Sequence, residues 1–90
     1  MDPSLAIKQY IVREFLPDIA PEELDDDYDL VDNGVVNSLS LLPIINWLAD
    51  RYDIPIDDVD ISMNDFLSVA AIRRFVSRTA RERVPALSEN

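Results

Sequence analysis

Leu30-Val31-Asp32-Asn33-Gly34-Val35-Val36-Asn37-Ser38-Leu39-Ser40-Leu41-Leu42 holds the only glycine of a 90-residue chain and runs on into an apolar segment. Gly34 permits backbone angles that other residues avoid, so the chain can turn sharply there. Val35 and Val36 are apolar residues in a loop and need a surface to anchor on. Asn37 and Ser38 are both good helix N-caps, because a short oxygen side chain accepts from the free N–H groups of a first turn. Capping alone would account for Ser38. A firmly anchored loop that delivers one hydroxyl to a helix start also suggests a hydroxyl that is presented.

Upstream, Asp2-Pro3 suits a helix start, with Asp as N-cap and Pro at the first helical position. Ile7, Ile11 and Phe15 then recur at helical spacing, flanked by Leu5, Val12 and Leu16, and predict an amphipathic helix ending near Pro17. Residues 18–37 read as a long loop pinned by Ile19, Leu24, Tyr28, Leu30 and Val31, with a short helical turn at Pro21-Glu22-Glu23-Leu24. Its carboxylates do not match an EF-hand, which spaces its acids around a central Gly and ends in a bidentate Glu.

Downstream, a helix is expected from Ser38 to about Asp53, with Leu41, Ile44, Ile45, Leu48 and Tyr52 facing the core and Trp47 packed. Leu39, Leu42 and Asn46 lie on a second stripe beside Ser38, either buried or offered to a partner. Pro43 should tighten or bend the first turns. Ile54-Pro55-Ile56 breaks the helix. Ser62 with Asp65 forms a weak capping box for a short helical piece that closes Phe66 and Leu67 into the core. Ser68 caps a last helix with Val69, Ile72, Phe75 and Val76 inside and Arg73, Arg74, Arg78 and Arg81 outside. The residues after Arg83 read as a tail, so residues 1–84 form one domain and residues 85–90 a flexible C-terminal segment.

The segment around Ser38 resembles the phosphopantetheine attachment site of acyl, aminoacyl and peptidyl carrier proteins. In that family an Asp-Ser-Leu-like tripeptide follows a Gly-containing loop, and here it reads Asn37-Ser38-Leu39. Phe66-Leu67-Ser68-Val69-Ala70-Ala71-Ile72 is similar to the start of the family's last helix. The resemblance implies an all-α bundle of four helices, three long and one short, with a long loop between the first two. It implies 4'-phosphopantetheine carried on Ser38 and partner recognition through Asn37, Leu39, Leu42 and Asn46. The implied partners are a phosphopantetheinyl transferase, an adenylating ligase or acyltransferase that loads the arm, and condensing or tailoring enzymes. Gly34 lies four residues before Ser38, as in stand-alone aminoacyl carriers, which favours amino-acid-derived or polyketide-type secondary metabolism. Asn37 departs from the usual Asp, keeping the capping oxygen and losing the charge.

Composition narrows the function. The chain has no Cys and no His, and so lacks a thiolate nucleophile, the commonest general base and the commonest metal ligand. A serine nucleophile needs an adjacent base, and none is evident near Ser38, so intrinsic catalysis is not expected. Thioester chemistry would need a borrowed thiol. The net charge of -10 disfavours nucleic acid, whose phosphates need clustered cations. The acids crowd between Asp18 and Asp32 and between Asp50 and Asp65. They form a solvated surface, or a rim that steers basic enzymes to Ser38. No apolar run approaches a membrane span, and the acidic start lacks the features of a signal peptide, so a cytoplasmic monomer is expected. An unmodified acidic interaction module is the alternative reading.

Overall fold

A computed structural model describes residues 3–80. Three helices carry the fold: α1 (Ser4–Phe15), α2 (Leu41–Tyr52) and α3 (Val69–Thr79). Three single turns of 3-10 helix, Pro21–Glu23, Ile56–Asp58 and Met63–Phe66, punctuate the connections. No strand occurs among the described residues, and none of their helices is long and apolar enough to cross a membrane. The expected N-cap at Asp2, the outward Arg81, the domain end at residue 84 and the tail 85–90 lie outside the described residues.

The helical periods point where they should. Ile7 and Ile11 of α1 meet Ile44 and Leu48 of α2 and Ile72 and Phe75 of α3 in one core, which Leu24, Leu30, Val35 and Val36 enter from the long loop. Among the described residues no charged side chain is buried, and Tyr10 brings the core's one hydroxyl. Phe66 packs on Phe75 with ring centroids 5.2 Å apart. The indole of Trp47 is half-buried and stacks on Tyr10 at 4.4 Å, which ties α2 to α1. Burial raises the Tyr10 hydroxyl above the ordinary tyrosine pKa; Glu14 adds to the shift and Arg13 opposes it.

Local signals set the ends. Ser68 Oγ accepts from the Ala71 N–H at 3.1 Å and opens α3. Ser62 and Asp65 exchange backbone bonds in a capping box. The expected fourth helix is only Met63–Phe66 and is 3-10: the five residues between the caps Ser62 and Ser68 leave no room for an α-helical ladder. The Pro21 turn forms, with the Ala20 N–H donating to Glu23 Oε1 at 2.7 Å.

Several side chains depart from expectation. Leu67 does not close into the core; it is exposed, and its carbonyl is the engaged group, accepting from the Leu30 N–H. Leu5 and Tyr28 are also exposed. Arg73 is half-buried rather than outside, because it reaches Ser4 Oγ at 3.1 Å and Asp26 at 3.5 Å. Asp26 also pairs with Lys8 of α1, and its carbonyl accepts from the Ala70 N–H. It therefore joins loop, α1 and α3. Arg78 pairs with Asp65 at 3.2 Å.

Ile11 is 0% exposed and Leu48 1%. Ile11→Ala and Leu48→Ala should each cost about 2–5 kcal/mol, as lost transfer energy plus a residual cavity. Urea denaturation measures this; losses below about 1 kcal/mol would contradict the burial.

Candidate functional site

Backbone bonds close the loop ahead of α2. The Leu30 N–H donates to the Leu67 carbonyl at 2.7 Å, and the Leu30 carbonyl accepts from the N–H groups of Val35 and Val36 at 2.8 and 2.9 Å. The turn between them is held by Asp29, whose Oδ1 accepts from the Asp32 N–H and whose carbonyl accepts from Asn33 Nδ2, both at 2.7 Å. Gly34 sits in that turn at φ 78. A Cβ there would meet nothing within 4 Å, so the left-handed backbone alone demands glycine. Val35 and Val36 are buried and anchor the return.

The head of α2 is then built from Asn37 and Ser40. Asn37 Oδ1 accepts from the N–H groups of Leu39 and Ser40 at 2.8 and 3.0 Å. Ser40 Oγ accepts from the Asn37 N–H at 2.9 Å and donates to the Val35 carbonyl at 2.8 Å. These reciprocal bonds have the pattern of a capping box, with Ser in place of the usual Glu or Gln, in the turn that leads into α2. The Leu41 N–H donates to the Asn37 carbonyl at 2.9 Å, so the first helical bond starts at the cap. Regular α2 begins only at Leu41, later than expected, because residues 38–40 form a turn shaped by these side-chain bonds. Pro43 falls in the first turn of α2, between the bonds that the Leu41 and Ile44 N–H groups make to the Asn37 and Ser40 carbonyls.

Ser38 projects from this frame. It is exposed, and no group among the described residues bonds its hydroxyl. Leu39 is 85% exposed and Leu42 62%, and Asn46 is exposed one turn further on. The structure thus brings Ser38, Leu39, Leu42 and Asn46 to one open face. Asn37 is exposed as well, but its oxygen is spent on the cap. Beside this face lies a groove of about 500 Å³, lined by Phe15 and Leu16 at the end of α1, by Gly34 and Val35 of the loop, and by Leu39 and Pro43. No three carboxylates among the described residues come together to hold a metal ion. Sequence reading missed the Ser40 latch; the Asn-x-x-Ser spacing was its signal.

A family model for the phosphopantetheine attachment site matches residues 9–76. The structure is similar to the apo structure of KstB-PCP, with 45% identity over 94% of this chain and 96% of that one and a TM-score of 0.76. It is also similar to the solution structure of KstB-PCP, described as acting in kosinostatin biosynthesis, with 48% identity over 96% and 97% of the two chains and a TM-score of 0.67. No curated protein matches. Four serines lie in the matched span: Ser38, Ser40, Ser62 and Ser68. The hydroxyls of Ser40, Ser62 and Ser68 each bond a backbone group. Ser38 is the one that could take a group without breaking a bond of the fold.

The two neighbouring serines should therefore respond differently to alanine. Ser40→Ala leaves the Asn37 N–H and the Val35 carbonyl unpaired and should cost about 1–3 kcal/mol. Ser38→Ala should stay within about 0.5 kcal/mol of the parent, as exposed substitutions usually do. Urea midpoints decide; equal losses would contradict the latch.

Proposed function

The chain belongs to the phosphopantetheine attachment-site family, and from that premise we propose that its 4'-phosphopantetheine is joined to the Ser38 hydroxyl for the carriage of acyl or aminoacyl groups. The family consists of carriers without catalysis of their own. The observation that carries the assignment is the free hydroxyl of Ser38 beside three engaged ones. An unmodified interaction module would not need that difference.

In the proposed attachment, Ser38 Oγ forms a bond to the phosphorus of the phosphopantetheine half of coenzyme A. The bond to adenosine bisphosphate breaks, and the hydroxyl proton passes to a base of a separate transferase. The bound group supplies the thiol that a Cys-free chain lacks, on which cargo is held as a thioester. The rest of the work belongs to this chain. The Leu30 bonds and the Asn37–Ser40 box fix where the hydroxyl stands. The N-terminus of α2 favours the negative phosphodiester there. Leu39, Leu42 and Asn46 offer partners an open face.

The proposed partners are the transferase, an adenylating ligase or acyltransferase that loads the arm, and condensing or tailoring enzymes. The proposed setting is cytoplasmic, amino-acid-derived or polyketide-type secondary metabolism. The likeness to KstB-PCP supports it, along with the four-residue step from Gly34 to Ser38.

Incubation with coenzyme A and a broad-specificity transferase should add one phosphopantetheine by intact mass, and Ser38→Ala should abolish the gain. A gain that persists in this variant would move the site elsewhere.

Asn37→Asp keeps the capping oxygen and places a carboxylate at the start of α2, a change that favours the helix dipole by about 0.3–1 kcal/mol. The variant should be at least as stable as the parent. A transferase that reads Asp-Ser-Leu should modify it faster, and the advantage should shrink with salt, since screening weakens exposed charge contacts. Equal rates at low and high salt would remove any role for the charge.

A further inference from the structure

The groove beside Ser38 differs in character from the rest of the surface. In a chain of net charge -10, none of the residues lining it is charged. Phe15, Leu16, Leu39 and Pro43 give it apolar walls, and the Asn33 amide lies on its rim. Asn33 Nδ2 is spent on the Asp29 carbonyl, and no bond among the described residues engages its oxygen. Its volume of about 500 Å³ lies within the range of small-molecule pockets, about 300–1,000 Å³. Asn37 and Leu39, the chain neighbours of Ser38 on either side, both line it.

We propose that the groove receives the pantoyl portion of the arm carried on Ser38, with the two methyl groups between Phe15, Leu16 and Pro43 and the Asn33 side-chain oxygen accepting from the pantoyl hydroxyl. The inference rests on attachment at Ser38. The pantoyl unit follows the phosphodiester directly, so it is the part of the arm that a tether of this origin delivers to the adjacent wall. It pairs a dimethyl carbon with a hydroxyl and an amide, and the groove pairs apolar walls with one unspent polar oxygen. The phosphodiester brings a negative charge to the groove's edge. An aspartate at position 37 would repel it, and Asn37 caps the helix without doing so. With the pantoyl unit seated, the rest of the arm and its thiol stay in solvent, within reach of partner enzymes. The arm would thus leave Ser38 in a preferred direction, toward the end of α1.

Nuclear magnetic resonance of the apo and modified protein tests this, with modification verified by mass. Seating predicts nuclear Overhauser contacts from the pantoyl methyls to the Phe15 ring and Pro43. It also predicts amide shift changes at Phe15, Leu16 and Asn33 on modification. In modified Leu16→Glu the contacts should be lost, and those three amides should return toward their apo shifts. In modified Asn37→Asp, which retains a cap, the contacts should weaken. Changes confined to residues 37–39, with no contact to the α1 end, would overturn the seating and leave attachment intact. Contacts that survive unchanged in both variants would also overturn it. No mass gain at all would overturn attachment and the seating with it.

Discussion

The backbone of Leu30 is the constraint on which the presentation of Ser38 depends. Its N–H is committed to the Leu67 carbonyl, and its own carbonyl takes two donors from Val35 and Val36. Its side chain is fully buried, so the bonds are shielded from competing water on at least one side. One residue thus pins the entry of the loop to the segment before α3 and pins its exit to its entry. Gly34 is needed because this closure leaves only a tight reversal between them. Once the reversal is set, Asn37 arrives in place to cap α2 and Ser38 is left pointing out. Removing the closure would leave the cap intact in chemistry and undefined in position.

Electrostatics plays a smaller part in stability than the composition suggests. The pairs that Asp26 makes with Lys8 and Arg73, and Asp65 with Arg78, are partly or largely exposed, and such pairs contribute about 0–1 kcal/mol. Their value is geometric. Asp26 touches α1 by one side-chain contact and α3 by another, and its backbone carbonyl adds a bond to Ala70. Asp29 and Asp65 hold turns through their oxygens. Part of the acidic surface is therefore turn and cap chemistry. The exposed remainder is left for solvent and for whatever approaches.

Much of this was legible in the residues. The 3.6-residue periods of Ile7-Ile11 and Ile44-Leu48 have one physical reading. Ser68 and the Ser62–Asp65 pair are local devices whose partners lie within three residues. Gly34 was readable because a lone glycine before a helix signals a backbone angle. What escaped depended on distant partners. The Leu67 carbonyl is captured by Leu30, far back in the chain, and Arg73 is drawn inward by Asp26 and Ser4. Helical spacing alone puts that leucine in and that arginine out. Ser40 escaped in part for the same reason: the Asn-x-x-Ser spacing signals its bond to Asn37, but its bond to the Val35 carbonyl exists only because the loop folds back.

The stacked rings of Tyr10 and Trp47 have a consequence of another kind. Trp47 is the chain's only tryptophan, so all indole emission comes from the seam between α1 and α2. Phe15 leans edge-on against the same Tyr10 at 6.2 Å and also walls the groove beside Ser38. Two aromatic contacts connect that wall to the chromophore. The chain thus carries an intrinsic fluorophore two ring contacts from the groove beside Ser38, free of any attached dye.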